Sequence, residues 1–244
     1  MFRKLVTKSI QPGPKGFHFR GHEVKRIETF SDAVFAFAVT LLIVSLEVPK
    51  TFEELLTTMR GFFAFAISFT FLIMIWYEQY VFFRRYGMED IVTIVLNAVL
   101  MFIVLFYVYP LKFLFTLLFS SYIYGANTPF HISDKQFPDL MLVYSIGYIA
   151  IYSLFFLMYC HALRKKDALQ LTKVELFDTR TKVYSNFILI LIGLLSVCLV
   201  KVLPPGQIAI AGIIYCIIGP VFFIYFSVRG RKRKKVYSNP VPVK

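Results

Sequence analysis

The sequence predicts an all-α integral membrane protein with six transmembrane helices per subunit. Three observations carry that reading. The 244 residues are 58% hydrophobic, against about 45–50% in a soluble domain, and the mean hydropathy is +0.67. Six apolar runs approach or exceed the ~20 residues that a spanning helix needs. Basic residues collect at one end of those runs: of 27 Lys and Arg, all but Lys50, Arg60, Lys112, Lys135 and Lys201 fall on one side. That bias places both termini in the cytoplasm, and an even number of spans agrees with it.

Residues 1–29 read as a cytoplasmic basic segment. Pro12, Gly13, Pro14, Gly16 and many charges interrupt it, so it offers no apolar core for a secretory signal. The spans follow at roughly 31–48, 61–83, 91–118, 140–163, 184–203 and 207–228, with Pro110 a break or kink in the third and Pro220 inside the sixth. Residues 30–228 thus form a six-helix transmembrane domain. Gly125, Asn127 and Pro129 mark 120–138 as a turn-rich outer loop. Between spans four and five, Leu169, Leu171, Val174 and Phe177 alternate with charges, a pattern that suits an interfacial amphipathic helix or a plain linker equally. Residues 229–244 form a cytoplasmic tail whose run Arg231-Lys232-Arg233-Lys234-Lys235 suits anionic lipid headgroups.

The net charge of +13 does not point to nucleic acid, because the cations are separated by apolar spans. Cys160, Cys198 and Cys216 are odd in number and sit in apolar runs, without metal-ligand spacing or a disulfide framework. No cofactor or resident metal is expected. Nor is an enzyme, which would need His, Asp or Ser clusters converging at one depth.

Ionisable groups inside spans are expensive and mark function. Glu47, His161 and Lys201 lie near span ends, and Lys112 is close enough to one to snorkel. Asp32 and Glu78 are harder to dismiss, although Ser31 and Asp32 also fit a helix cap. At ~100° per residue, Phe37, Thr40, Leu41, Val44 and Val48 share a face, and Asp32 lies ~140° from Phe37. The carboxylate then points toward neighbouring helices, where Arg26, Trp76 and Asn97 are its candidate partners by depth. Thr40 is a mid-span hydroxyl that either bonds back to its own helix, packs with Ala36 as a small pair, or faces a pore. The Phe30-Ser31-Asp32 stretch occurs once and no internal repeat is evident, so a central pathway along span one needs a symmetric homo-oligomer.

Arg26-x-x-x-Phe30-Ser31-Asp32, continued by Ala33-Val34-Phe35-Ala36 and Thr40-Leu41-Leu42, resembles the signature of the transmembrane protein 175 family of potassium channels. Ser45–Pro49, Leu96-Asn97, Leu100 and Pro110 extend the likeness across spans one to three. The family comprises lysosomal leak channels of animals and single-repeat relatives in bacteria and archaea. The resemblance implies a homotetramer in a bacterial or archaeal plasma membrane, a pore lined by the first helix, and potassium as the permeant ion. It implies that Arg26, Phe30, Ser31 and Asp32 hold helices together, with Trp76 and Asn97 in the same polar network. It puts Phe37, Leu41 and Val44 at a hydrophobic constriction and Thr40 at a hydroxyl layer. Two departures stand out. Phe37 replaces the usual Ile or Leu, and the histidine that often follows the second-span tryptophan is missing: Trp76 is followed by Tyr77-Glu78-Gln79-Tyr80, leaving Gln79, Glu78 or Tyr80 to take its share.

No carbonyl filter of the TVGYG type is present. A pore of this kind gates by dewetting of its apolar neck, and selectivity for potassium is expected to be weak to moderate. The competing reading is a secondary cation or proton-coupled transporter using Asp32 or Glu78. It is disfavoured by the absence of a repeat and of glycine-broken helices.

Overall fold

A computed structural model of the chain describes residues 17–21, 23–44, 49–120, 123, 133, 136–204, 207 and 209–238. Their helices are α1 (Arg26–Val44), α2 (Phe52–Arg60), α3 (Phe62–Tyr86), α4 (Ile91–Leu118), α5 (Phe137–Arg164), α6 (Lys173–Val202), α7 (Ala209–Ile213) and α8 (Ile218–Ser238), with a 3-10 turn, Ile214–Ile217, before the last. Five stretches, Phe52–Tyr86, Ile91–Leu118, Phe137–Arg164, Lys173–Val202 and Ile210–Arg233, are long and apolar enough to cross a membrane. The remaining span is α1, the first in the chain. Its 19 described residues rise about 28 Å at 1.5 Å each, close to the ~30 Å hydrocarbon thickness. Residues 45–48 and most of the predicted outer loop lie outside the described residues, as do residues 1–16 and 239–244.

Local chemistry sets the helix ends. Thr51 caps α2 by accepting from the Glu54 amide, and Gly61 separates α2 from α3. Gly87 closes α3 in the left-handed region (φ 55°), donating to Phe83 O at 2.8 Å, a conformation that glycine adopts without steric cost. Asp90 caps α4, which runs through Pro110 without ending. A reciprocal capping box between Thr172 and Glu175 starts α6. This helix therefore begins eleven residues before the apolar run that predicts it, with turns that carry Lys173, Glu175, Asp178, Arg180 and Lys182. The 164–182 stretch resolves into turns and the start of α6. In the sixth span, Pro220 has no N–H for the carbonyl of Cys216 and its ring crowds that carbonyl. The 3-10 turn at Ile214–Ile217 falls where the α-helical ladder is interrupted. Helix α8 then continues through the basic residues to Ser238.

The densest pairing is α5 with α6, and α4 packs against α1, α3 and α5. Phe82, Phe83, Tyr86, Phe155 and Tyr159 are wholly or almost wholly buried where α3 meets α5. Ring contacts at 5.1–6.0 Å link Phe82 to Phe83, Tyr86 and Tyr159, and Tyr86 to Tyr159. Helix α8 lies at the margin, with Phe223, Ile224 and Phe226 exposed, as a lipid-facing span requires.

The end with most of the basic residues, called the inner end below, is laced with ion pairs. The segment Phe17–Gly21 crosses it: Arg84 donates to Gly21 O at 2.8 Å, and a Cβ on Gly21 would meet Phe83 O at 2.6 Å. Buried Glu175 accepts from Arg20 at 3.0 and 3.1 Å and from the His18 amide at 2.7 Å. Arg233 pairs with Asp178 at 2.7 Å, and Arg229 lies over the Phe177 ring at 4.5 Å. Asp90 joins α4 to α5 through His161 and Lys165, both at 2.6 Å.

Burial alone would raise the Asp90 carboxyl pKa. Hydrogen bonds from His161, Lys165 and Thr93 outweigh that and hold it well below the ordinary carboxylate range. A carboxylate depressed in the folded state stabilises fully above its unfolded pKa of ~3.9, and the effect is lost as pH falls below that value. Asp90→Asn is therefore expected to cost on the order of 1–3 kcal/mol near neutral pH. In detergent melts, the gap to wild type should close as pH drops below about 4; a gap independent of pH would contradict the assignment.

Candidate functional site

The predicted residues gather on and around the inner half of α1. Ser31, Phe35, Ala38 and Leu42, spaced by three and four residues, are buried and face the chain's own bundle. Ser31 is the polar start of that stripe. A hydroxyl buried at that depth needs partners, and it has two: its Oγ donates to Ile27 O at 2.8 Å and accepts from Asn97 Nδ2 at 2.8 Å. Asn97 Oδ1 in turn accepts from Gln79 Nε2 at 3.1 Å. All three side chains are at most 2% exposed. The result is a satisfied polar chain from α3 through α4 to α1.

Asp32 sits one step round the helix, at the edge of the buried stripe. Trp76 Nε1 donates to its Oδ1 at 2.8 Å, and the Trp76 ring stacks on Tyr80 at 5.6 Å. Beside them a crevice of about 250 Å³ opens between α1 and α3, lined by Asp32, Phe35, Ala36, Val39, Leu72, Ile73 and Trp76. Arg26 is exposed, and among the described residues the single chain does not bring it to Asp32. Phe30 is 62% exposed and likewise lies outside the network.

Of the remaining predicted residues, Phe37 and Thr40 lie on the other side of α1, and Leu41 lies on its flank, packed against the bundle's core. Phe37 is 56% exposed, Thr40 is exposed and Leu41 is half-buried. The side chain of Val44 lies outside the described residues. From the middle of the buried stripe, Phe37 is about 130° away, Thr40 about 170° and Leu41 about 90°. Thr40 Oγ1 donates to Phe37 O at 2.6 Å. The hydroxyl proton is thus spent inside the helix, and the oxygen lone pairs remain for another donor or a cation.

Glu78 does not join this cluster. Lys182 donates to it at 2.6 Å and Tyr159 at 2.8 Å, so it ties α3 to α5 and α6. Gln79, weighed from the sequence only as a substitute for a missing histidine, is a full member of the network. Its signal is its spacing: three residues after Trp76 on one helix, it falls on an adjoining face. Two contacts are not readable from spacing. His161 and Lys165 converge on Asp90, and Lys112 Nζ donates to Leu42 O at 2.7 Å.

The family model described as endosomal/lysosomal potassium channel TMEM175 matches residues 26–107, which hold α1, the network and most of α4. A protein of Marivirga tractuosa named "Potassium channel" is 39% identical over 97% of this chain and all of its own length. The crystal structure of a variant of the potassium channel MtTMEM175, bound to a nanobody fusion, superposes with a TM-score of 0.78 at 38% identity. That match covers 90% of this chain and 98% of that one. A protein from Chamaesiphon minutus, described as a homologue of the lysosomal potassium-selective channel TMEM175, shares the fold at 22% identity and a TM-score of 0.54, over 84% of this chain and 96% of its own.

The polar chain predicts non-additive mutations. Asn97→Leu alone strands the Gln79 amide and should cost about 2 kcal/mol or more, whereas adding Gln79→Leu should recover much of that loss. Melting of the purified protein, followed by size exclusion, reads both. Additive losses would show that the two amides do not act as a pair.

Proposed function

The chain belongs to the TMEM175 family of potassium channels, on its prokaryotic branch, and on that premise we propose that it conducts potassium through a central pore lined by α1 in a homotetramer. The observation that carries this reading is the two-sidedness of α1: a buried stripe of Ser31, Phe35, Ala38 and Leu42 against the bundle, with Phe37 and Thr40 exposed on the opposite face. A helix fastened on one side and bare on the other suits a position around a symmetry axis. The exposed Phe30 and the open crevice beside Asp32 are surfaces that neighbouring subunits can cover. The membrane is the bacterial or archaeal plasma membrane, with both termini in the cytoplasm and the basic inner end against anionic lipid headgroups.

Phe37, Leu41 and Val44 form the apolar constriction. Along the helix they span about 10 Å at 1.5 Å per residue, and a neck of that kind excludes water and ions until it widens. Thr40 lies between Phe37 and Val44. Its hydroxyl oxygen, with the proton directed back to Phe37 O, can replace one water of a passing cation. Potassium surrenders its water more readily than sodium, so such a layer favours potassium weakly to moderately. The opposed transporter reading needs Asp32 or Glu78 as a carrier. Both carboxylates hold hydrogen bonds that tie helices together, which supports fixed structural roles.

Recordings from reconstituted protein in potassium and sodium gradients test the assignment. Thr40→Ala should lower the potassium-to-sodium permeability ratio by about fivefold or more, the equivalent of one hydrogen bond of ~1 kcal/mol. Phe37→Ala should raise resting conductance while leaving that ratio closer to wild type. An unchanged ratio in the first variant would remove Thr40 from the mechanism, and an unaltered leak in the second would remove Phe37 from the neck.

A further inference from the structure

Lys112 is a cation inside a membrane span, on α4, two residues beyond Pro110. Its Nζ donates to the main-chain carbonyl of Leu42 at 2.7 Å. Leu42 belongs to the last described turn of α1, which carries no basic residue of its own there. A main-chain carbonyl oxygen has two lone pairs, so it can accept from a neighbouring helix in addition to its own. The Lys112 bond has a charged donor, and such bonds are about twice as strong as neutral ones.

The direction of this contact is informative. Leu42 is wholly buried and belongs to the stripe against which α4 packs. Thr40 projects about 160° from Leu42. The ammonium therefore reaches α1 from behind, on the side away from the Thr40 face, and holds a main-chain atom two residues from Thr40. The inner half of α1 is tied by Ser31, Asp32 and their partners; farther along, Lys112 adds a charged tie to the packing of Ala38 and Leu42. A binding layer tolerates displacements of only about 0.5 Å, so loss of that tie is enough to disturb it.

We infer that Lys112 is a positioning residue for the selectivity layer. It sets the height and rotation of the outer half of α1, and so the spacing of the Thr40 hydroxyls around the pore. The inference rests on the reading of α1 as the pore-lining helix.

The test compares the full-length wild type, Lys112→Met, Lys112→Arg and Lys182→Met in reconstituted bilayers, under a potassium–sodium gradient. Lys112→Met removes the donor while keeping most of the volume, and should lower the potassium-to-sodium permeability ratio by about fivefold. Lys112→Arg retains a charged donor and should restore most of the ratio. Lys182→Met breaks an inner-end ion pair of similar burial and should lower melting temperature without moving the ratio. If Lys112→Met does not assemble, Lys112→Gln takes its place, and an intermediate ratio is expected. A wild-type ratio in the Met or Gln variant overturns the inference, as does an equal loss in Lys182→Met, which would mark a general effect of destabilisation. A wild-type protein that passes no potassium refutes the pore reading and this inference together; a conducting wild type with an indifferent Lys112 refutes this inference alone.

Discussion

A hydroxyl and two amides buried between helices must satisfy one another, because neither lipid nor packed side chains can. Ser31, Asn97 and Gln79 do so in sequence, from α1 to α4 to α3. The net worth of each bond is modest, about 1 kcal/mol, but an unmet buried donor costs about 1–3 kcal/mol. The network therefore specifies register: sliding or turning α1 by one residue would take Ser31 from Asn97 and Asp32 from Trp76 at once. Everything proposed for the opposite face of α1 depends on that register.

The contrast between the two carboxylates of the spans illustrates the same constraint. Asp32 accepts from an indole N–H at the edge of the bundle, and Glu78 is held by an ammonium and a phenol between three helices. Each charge has a partner, as membrane burial demands, and each ties together helices that are distant in sequence. The inner end adds a further layer, in which Glu175, Asp90 and Asp178 are each matched by cations. The excess of positive charge that fixes topology is thus partly consumed in holding helix ends together.

The six spans were legible because hydropathy and charge bias are summed over whole helices. Hydropathy places the third span at 91–118, and α4 runs Ile91–Leu118. The early start of α6 was not legible from hydropathy, since its first turns are polar. Thr172 and Glu175 nonetheless carried a capping signal. Helix α2, nine residues long, is too short for a spanning signal and lies between the first two predicted spans. Within the site, helical phase separated Asp32 from Phe37, and depth named Trp76 and Asn97. Depth alone could not say that Asn97 binds Ser31 rather than Asp32, because that depends on how α4 is rotated. Arg26 shared the depth of Asp32 but not its face. Lys112 read as a snorkelling side chain, since its partner is a main-chain carbonyl seventy residues away, which side-chain pattern does not register.

The central claim is that α1 turns one face to its own bundle and the other to a conduction path. Cysteine scanning of α1, in a background lacking Cys160, Cys198 and Cys216, tests it directly with a small cationic thiol reagent applied during recording. Block is predicted at Phe37→Cys and Thr40→Cys, and no block at Ala38→Cys and Leu42→Cys, whose side chains lie in the buried stripe. Block at Ala38 and Leu42 with indifference at Thr40 would mean that the pathway runs on the other side of the helix, and the account would fail.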